Sequence, residues 1–124
     1  MTTIYPDTNV WLAVGSGTFS LFEEIKRVVL EPCVIALHAA VEKELARLAK
    51  EDSKRGQYAR VAQQIIAKEQ VPLRGKNSFQ TADDAFLELT TQEVVITSDK
   101  LLKKACAERG IRVMFIKQKR ILGI

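Results

Sequence analysis

At 124 residues the chain has the length of one domain, enough to bury a substantial core unaided. Its 47% apolar and 27% charged residues give a globular balance, and no apolar run approaches the ~20 residues a membrane helix needs. The net charge of +4, from 19 Lys and Arg against 15 Asp and Glu, is moderate. Its placement matters more: Lys100, Lys103, Lys104, Arg109, Arg112, Lys117, Lys119 and Arg120 are opposed only by Glu108. A surface of that kind favours polyanions.

The N-terminus lacks a basic region followed by an apolar stretch, so no secretory leader is expected and the cytoplasm is the expected compartment. Cys33 and Cys106 form no CxxC pair and read as small apolar residues. With His38 the sole histidine, a Cys/His zinc site is not expected.

In chain order, Thr2 to Pro6 predicts a short strand ended by proline, with Asp7 where it stops and Thr8 or Asn9 able to support that acid or cap the next element. Gly15-Ser16-Gly17 lacks the third glycine of a dinucleotide fingerprint and reads as a turn. Phe19 to Leu30 has Leu21, Phe22, Ile25, Val28 and Val29 at helical spacing, with Glu23, Glu24, Lys26 and Arg27 outward. After Pro32, Cys33 to Leu37 reads as a buried parallel strand, with His38 ending it or starting the next helix.

Ala39 to Lys50 predicts a helix with the stripe Val41, Leu45 and Leu48. At ~100° per residue Glu44 lies near that stripe and Glu42 points to solvent. An inward acid costs several kcal/mol unless it is paired or holds a metal, which singles out Glu44. A polar linker is expected over Glu51 to Gly56, an amphipathic helix over Gln57 to Lys68, and a short strand near Gln70 to Leu73. Arg74 to Gln80 reads as a basic loop, and its Arg74-Gly75-Lys76 lacks the upstream glycine of a phosphate-binding loop.

Thr81-Ala82-Asp83-Asp84 opens a helix buried through Ala82, Ala85, Phe86 and Leu89. Thr81 and Asp84 have capping-box spacing, which gives Asp84 a structural duty and leaves Asp83 as the ligand candidate. Val94 to Thr97 is a strand that ends on Ser98-Asp99. A helix from Lys100 to Arg109 comes next, with Leu101, Leu102, Ala105 and Cys106 inward and Gly110 as its stop. Arg112 to Ile116 is the last expected strand, and a basic tail over 117–124 completes the chain.

Strands alternating with helices predict an α/β fold, a three-layer α/β/α sandwich with a mainly parallel central sheet. In such a sheet Asp7, Glu44, Asp83 and Asp99 converge on the carboxyl edge. Clustered carboxylates repel, so a cation is expected among them. An all-oxygen set suits Mg²⁺ or Mn²⁺, one ion or two, and such ions in a basic surround are suited to cutting phosphodiesters.

Four stretches carry a family resemblance over almost the whole chain: Asp7-Thr8-Asn9, Val41-Glu42-Lys43-Glu44-Leu45, Ala82-Asp83-Asp84-Ala85, and Thr97-Ser98-Asp99 with Leu102 beyond it. In that order the chain resembles the PIN-domain ribonucleases. The ending from Gly110 to Arg120 looks most like the small archaeal PIN proteins related to ribosomal-RNA processing nucleases. The resemblance implies one PIN-like domain over residues 1–124. It also implies a metal-dependent endoribonuclease that leaves a 5′-phosphate and a 3′-hydroxyl. Asp7, Glu44, Asp83 and Asp99 match its acidic quartet, with Thr8, Asn9, Thr97 and Ser98 around them. Arg74, Lys76, Lys117, Lys119 and Arg120 are the expected grip on RNA phosphates. Ser98 stands where many relatives have asparagine, and Lys103 where some have a further acid.

RNA is the expected partner, with ribosomal precursor particles and a homodimer among the associations the resemblance leaves open. Two other readings compete: a toxin of a toxin–antitoxin pair with the same chemistry, and a catalytically weak RNA-binding module in ribosome assembly. An aspartyl phosphatase is disfavoured because Asp7 lacks Asp-x-Asp spacing.

Overall fold

The computed structural model describes residues 1–75, 81–89 and 92–122. The elements run β1 (Thr2–Pro6), α1 (Thr8–Gly15), α2 (Leu21–Val28), β2 (Cys33–Ile35), β3 (Leu37–His38), α3 (Ala39–Leu48), α4 (Lys54–Lys68), β4 (Leu73–Arg74), α5 (Ala82–Phe86), β5 (Glu93–Thr97), α6 (Lys100–Glu108), β6 (Arg112–Lys117) and β7 (Arg120–Ile121). A five-stranded sheet has the order β2-β1-β5-β6-β7, parallel except for β7, and helices flank it. The α/β reading of the sequence holds. Among the described residues no helix is long and apolar enough to cross a membrane.

Burial explains why the centre is where it is. Val94, Val95 and Ile96 of β5 are fully buried, as are Ile4 of β1 and Met114 of β6 to within 1%. These apolar runs carry no polar alternation because both faces of a parallel sheet are covered. The chain leaves β1 towards β2 on one side, whereas β5 and β6 lie on the other. The strand order therefore diverges at β1 and β5, which opens a crevice beyond their carboxyl ends.

Several expectations are revised. The predicted strand over Cys33 to Leu37 splits: Leu37–His38 leaves the main sheet and pairs with Leu73–Arg74 in a separate two-stranded ribbon. The helix expected from Gln57 starts at Lys54, because Ser53 accepts a hydrogen bond from Gly56 N at 3.1 Å. Gly56 faces the backbone of Leu48 and Glu51 so closely that a Cβ would lie 2.1 Å from Glu51 O. Leu101, expected inward, is 79% exposed. Glu24, expected outward, is buried.

The basic tail is also revised. Lys117 pairs with Arg120 in an antiparallel hairpin whose two-residue loop, Gln118-Lys119, has positive φ at both positions. This is the loop geometry that matches the right-handed twist of paired strands. Glu24 fastens the returning strand to α2. Its Oε1 accepts from Arg120 Nε at 3.0 Å and from Ile121 N at 3.1 Å, and its Oε2 from Arg27 Nε at 2.7 Å. Arg27 also donates to Ile121 O at 3.1 Å.

Candidate active site

Asp7 lies just past β1 and caps α1, where its Oδ1 accepts from Val10 N at 2.9 Å. Its other oxygen, Oδ2, accepts from the Thr97 hydroxyl at the end of β5. The same hydroxyl accepts from Asp99 N at 3.0 Å, so one buried threonine ties together the residues that end two adjacent strands. The backbone reinforces the join: Asp7 N donates to Ile96 O at 2.9 Å. Asp99 caps α6 through Oδ1, which accepts from Leu101 N at 2.8 Å and Leu102 N at 3.3 Å.

Two further acids arrive on helices. The stripe of Val41, Leu45 and Leu48 anchors α3 in the core and leaves Glu44 half-buried beside it. Thr81 Oγ1 accepts from Asp84 N at 3.1 Å, opening α5 and setting Asp83 on its first turn. The four acids from four elements line one cleft of about 790 Å³, together with Thr8, Asn9, Lys43, Arg47 and Lys50. Asp84, Glu42 and Ser98 do not line it.

The acids feel one another. Burial pushes the Asp7 carboxyl up to about 6, and the charges of Asp83 and Asp99 add to the rise against the hydrogen bonds from Thr97 and Val10. Asp83 is raised by burial first, then by Asp99, Glu44 and Asp84. Even Cys106, raised chiefly by its burial, responds to Asp83. Like charges at close quarters disfavour ionisation in this way, and a cation reverses it.

The donor chemistry suits a hard divalent ion: carboxylate oxygens, the hydroxyl of Thr8 and no sulfur or imidazole at the cleft. Thr8 Oγ1 is buried without a hydrogen-bond partner, an orphaned donor and acceptor at the cleft wall. Among the described residues no three acids, histidines or cysteines are yet drawn together around one point. Asp7 spends both oxygens on Val10 and Thr97. His38 is not among the residues lining the cleft: its Nδ1 accepts from Ala40 N at 3.0 Å to cap α3, and its ring packs edge-on to Tyr5 and Phe86.

The predicted phosphate grip is dispersed. Arg74 donates to Thr3 Oγ1 at 3.1 Å near the start of β1, about 13 Å along the strand from Asp7. Arg120 is held by Glu24. Lys117 and Lys119 are exposed on the hairpin, and Lys76 lies outside the described residues. Among the described residues, the basic ones that line the cleft are instead Lys43 and Arg47 of α3 and Lys50 in the turn just past its end. In the sequence they alternate with Glu42, Glu44 and Glu51 and read as a solvated helix face. Their recurrence at i, i+4 and i+7, with Glu44 beside the first, was the available signal.

Comparisons with known proteins identify the family and the fold. The family model described as a PIN like domain matches residues 4–119. The chain is 28% identical over 127 residues to ribonuclease VapC4 of Methanocaldococcus jannaschii, covering 100% of this chain and 97% of the relative. The solved PIN domain endonuclease Utp24 has the same fold, with a TM-score of 0.73, 21% identity, and coverage of 98% of this chain and 92% of that one. A domain of a functionally unknown protein from the same Methanocaldococcus species matches with a TM-score of 0.62 and 19% identity, over 94% of this chain and 92% of the other. With an acid-lined cleft beyond β1 and β5 and a family match across nearly its full length, the chain belongs to the PIN-like domain family.

Proposed function

We propose that this protein is a metal-dependent endoribonuclease that hydrolyses RNA phosphodiester bonds. The observation that carries the reading is the convergence of Asp7, Glu44, Asp83 and Asp99, each from a different element, on one cleft at the carboxyl edge of the sheet. A curated relative of matching length is itself named a ribonuclease, which supports RNA as the substrate.

In this reading Asp7, Asp83 and Asp99 hold Mg²⁺ or Mn²⁺, and Glu44 completes the set. An ion held there lowers the pKa of an attacking water and offsets charge on the phosphate. The protein's own part is orientation. Thr97 keeps Asp7 and the Asp99 backbone in register, Thr8 and Asn9 line the approach, and the α6 cap holds Asp99 in place. Such outer partners fix ligand geometry and raise metal affinity.

The test is incubation of the purified protein with labelled single-stranded RNA in Mg²⁺, in Mn²⁺ and in chelator. Cleavage that is lost in chelator, restored by metal and abolished in Asp7→Asn and Asp99→Asn supports the reading. Cleavage that survives chelator, or a wild-type chain inert with either metal, refutes it. Processing of ribosomal RNA is the first cellular role we propose, with a toxin role as its competitor. Growth arrest on expression, relieved by a co-expressed neighbouring gene, distinguishes the second from the first.

A further inference from the structure

The cleft has a cationic wall that the acid chemistry leaves unused. Lys43, Arg47 and Lys50 line it alongside the four acids, and all three are exposed. Lys43 and Arg47, four apart on α3, are neighbours on one helical face, and Lys50 follows in the turn just past the helix end. Lys43 and Arg47 are separated by about 6 Å along the axis, and Lys50 carries the row further. Glu44, next to Lys43, stands at the head of the row.

A plainer account is that basic residues near a helix end offset its dipole. That covers Arg47 and Lys50, but Lys43 lies near the opposite end of α3. Arg47 also pairs with Glu51 at 3.6 Å, but both side chains are well exposed, and such pairs hold side chains only weakly. The row has a firm base. Leu45 and Leu48 are 1% exposed beneath it, and Arg60 of α4 donates to Ala49 O at 2.8 Å and Glu51 O at 3.2 Å, pinning the end of the helix.

We propose that the exposed face of α3 and the turn that follows it are the track for the RNA strand on one side of the scissile phosphate, with Lys43, Arg47 and Lys50 contacting successive backbone phosphates away from the acids. This rests on the ribonuclease reading of the same cleft. A polyanion with one phosphate at the acids must place the next ones somewhere, and a fixed row of cations in the same cleft is the available surface. The contacts are to the backbone, so the track positions the strand and does not read its sequence. The hairpin turn with Lys117 and Lys119 extends from β6, on the far side of β5 from β1, and its lysines do not line the cleft.

The test is binding of a short fluorescent single-stranded RNA to the full chain, in an Asp99→Asn background that prevents cleavage, across a salt series. Lys43→Ala/Arg47→Ala/Lys50→Ala is compared with Lys54→Ala/Arg55→Ala/Lys68→Ala, which removes the same charge from exposed positions outside the cleft. Three lost phosphate contacts flatten the slope of log K against log salt by about 2 in the first variant only. In the otherwise wild-type chain the same triple change raises KM and leaves kcat nearly unchanged, the signature of lost uniform binding.

A scan of single neutral methylphosphonates along the RNA adds position. The unaltered α3 is sensitive at consecutive phosphates on one side of the cleavage site, and the α3 variant loses that sensitivity. Equal slopes in the two triple variants, or sensitivity unchanged in the α3 variant, overturn the track while wild-type cleavage still stands. A wild-type chain that neither binds nor cleaves RNA removes the track and the ribonuclease reading together.

Discussion

At the scale of single residues, the cost of the site is concentrated at Asp7. The carboxyl is 5% exposed and its pKa is pushed up to about 6 from 3.8, mainly by burial. An acid raised on folding binds its proton more tightly in the folded state, so folding favours the protonated form. Its contribution is complete below the unfolded value and is lost as pH rises through 6. In chelator, the stability attributable to Asp7 therefore falls by about 2 kcal/mol between pH 4 and pH 7. Denaturant unfolding in EDTA at a series of pH values measures this. Asp7→Asn should flatten the fall, and Mn²⁺ should restore stability to wild type but not to the variant. A metal-free protein equally stable at both pH values would count against the placement of Asp7.

The sequence distinguished Asp83 from Asp84 by one local argument, and the geometry agrees with it. Thr81 receives the Asp84 N–H, and the cleft takes Asp83. It also placed Glu44 and Glu42 on different faces. The resemblance put Thr97 beside the acids, but no local pattern shows that it bridges Asp7 and Asp99, because Thr97 and Asp7 are 90 apart in the chain.

At the scale of elements, two contacts that carry no local sequence signal organise the molecule. Glu24 is surrounded by Arg27, Arg120 and the Ile121 backbone, so the Arg27 hydrogen bonds, then Ile121 and Arg120, hold its carboxyl down at about 2 against the opposing effect of burial. For an acid lowered on folding the sign is reversed. The latch is fully present above pH 4.5 and is lost as pH falls towards 2. Glu24→Gln should release the returning strand at neutral pH, seen as faster amide exchange at Arg120 and Ile121 with β5 still protected. Unchanged exchange there would show that the hairpin holds itself.

The second contact is the crossing of α1 and α4. A Cβ on Gly15 would lie 2.1 Å from Tyr58 O, and Ala59 and Ala62 of α4 are fully buried. Gly15→Ala should cost about 3 kcal/mol, read as a lower denaturation midpoint, because backbone meets backbone and no rotamer can give way. Gly17, with open space around its Cβ position, provides the contrast in surroundings, although its positive φ strains any replacement. From sequence both glycines looked like parts of one turn. Helical period marks large apolar residues, and a seam made of Gly15, Ala59 and Ala62 gives no such mark. Two-residue strands are equally hard to bound: β7 was missed, β3 was read as the end of one strand over Cys33 to Leu37 and β4 as the end of a short strand near Gln70 to Leu73, while β5 and β6 were read from their apolar runs.

At the scale of the whole molecule, alternating strands and helices were enough to place the acids at one edge. What they left open was which cations share that edge. Charge density drew attention to the C-terminal segment, whereas the fold fastens Arg120 to Glu24 and brings a sparser set on and just past α3 into the cleft.

The result is a cleft in which four carboxylates lie beside three cations, so an RNA strand bound there as proposed would meet both signs at once. Without a divalent ion the acids repel the phosphate that must approach them, and the basic wall binds against that repulsion. An ion removes the repulsion. Metal and RNA should therefore each tighten the other's binding by the same factor, since coupling between two sites is reciprocal. With cleavage disabled by Asp99→Asn, RNA titrated at fixed ionic strength with and without Mn²⁺ gives one side of this equality, and Mn²⁺ titrated with and without RNA gives the other. A further Asp7→Asn/Asp83→Asn change should strengthen ion-free RNA binding, because the repulsive charges are gone, and should abolish the response to Mn²⁺. An RNA affinity indifferent to both the ion and these charges would mean that the strand does not pass over the acids.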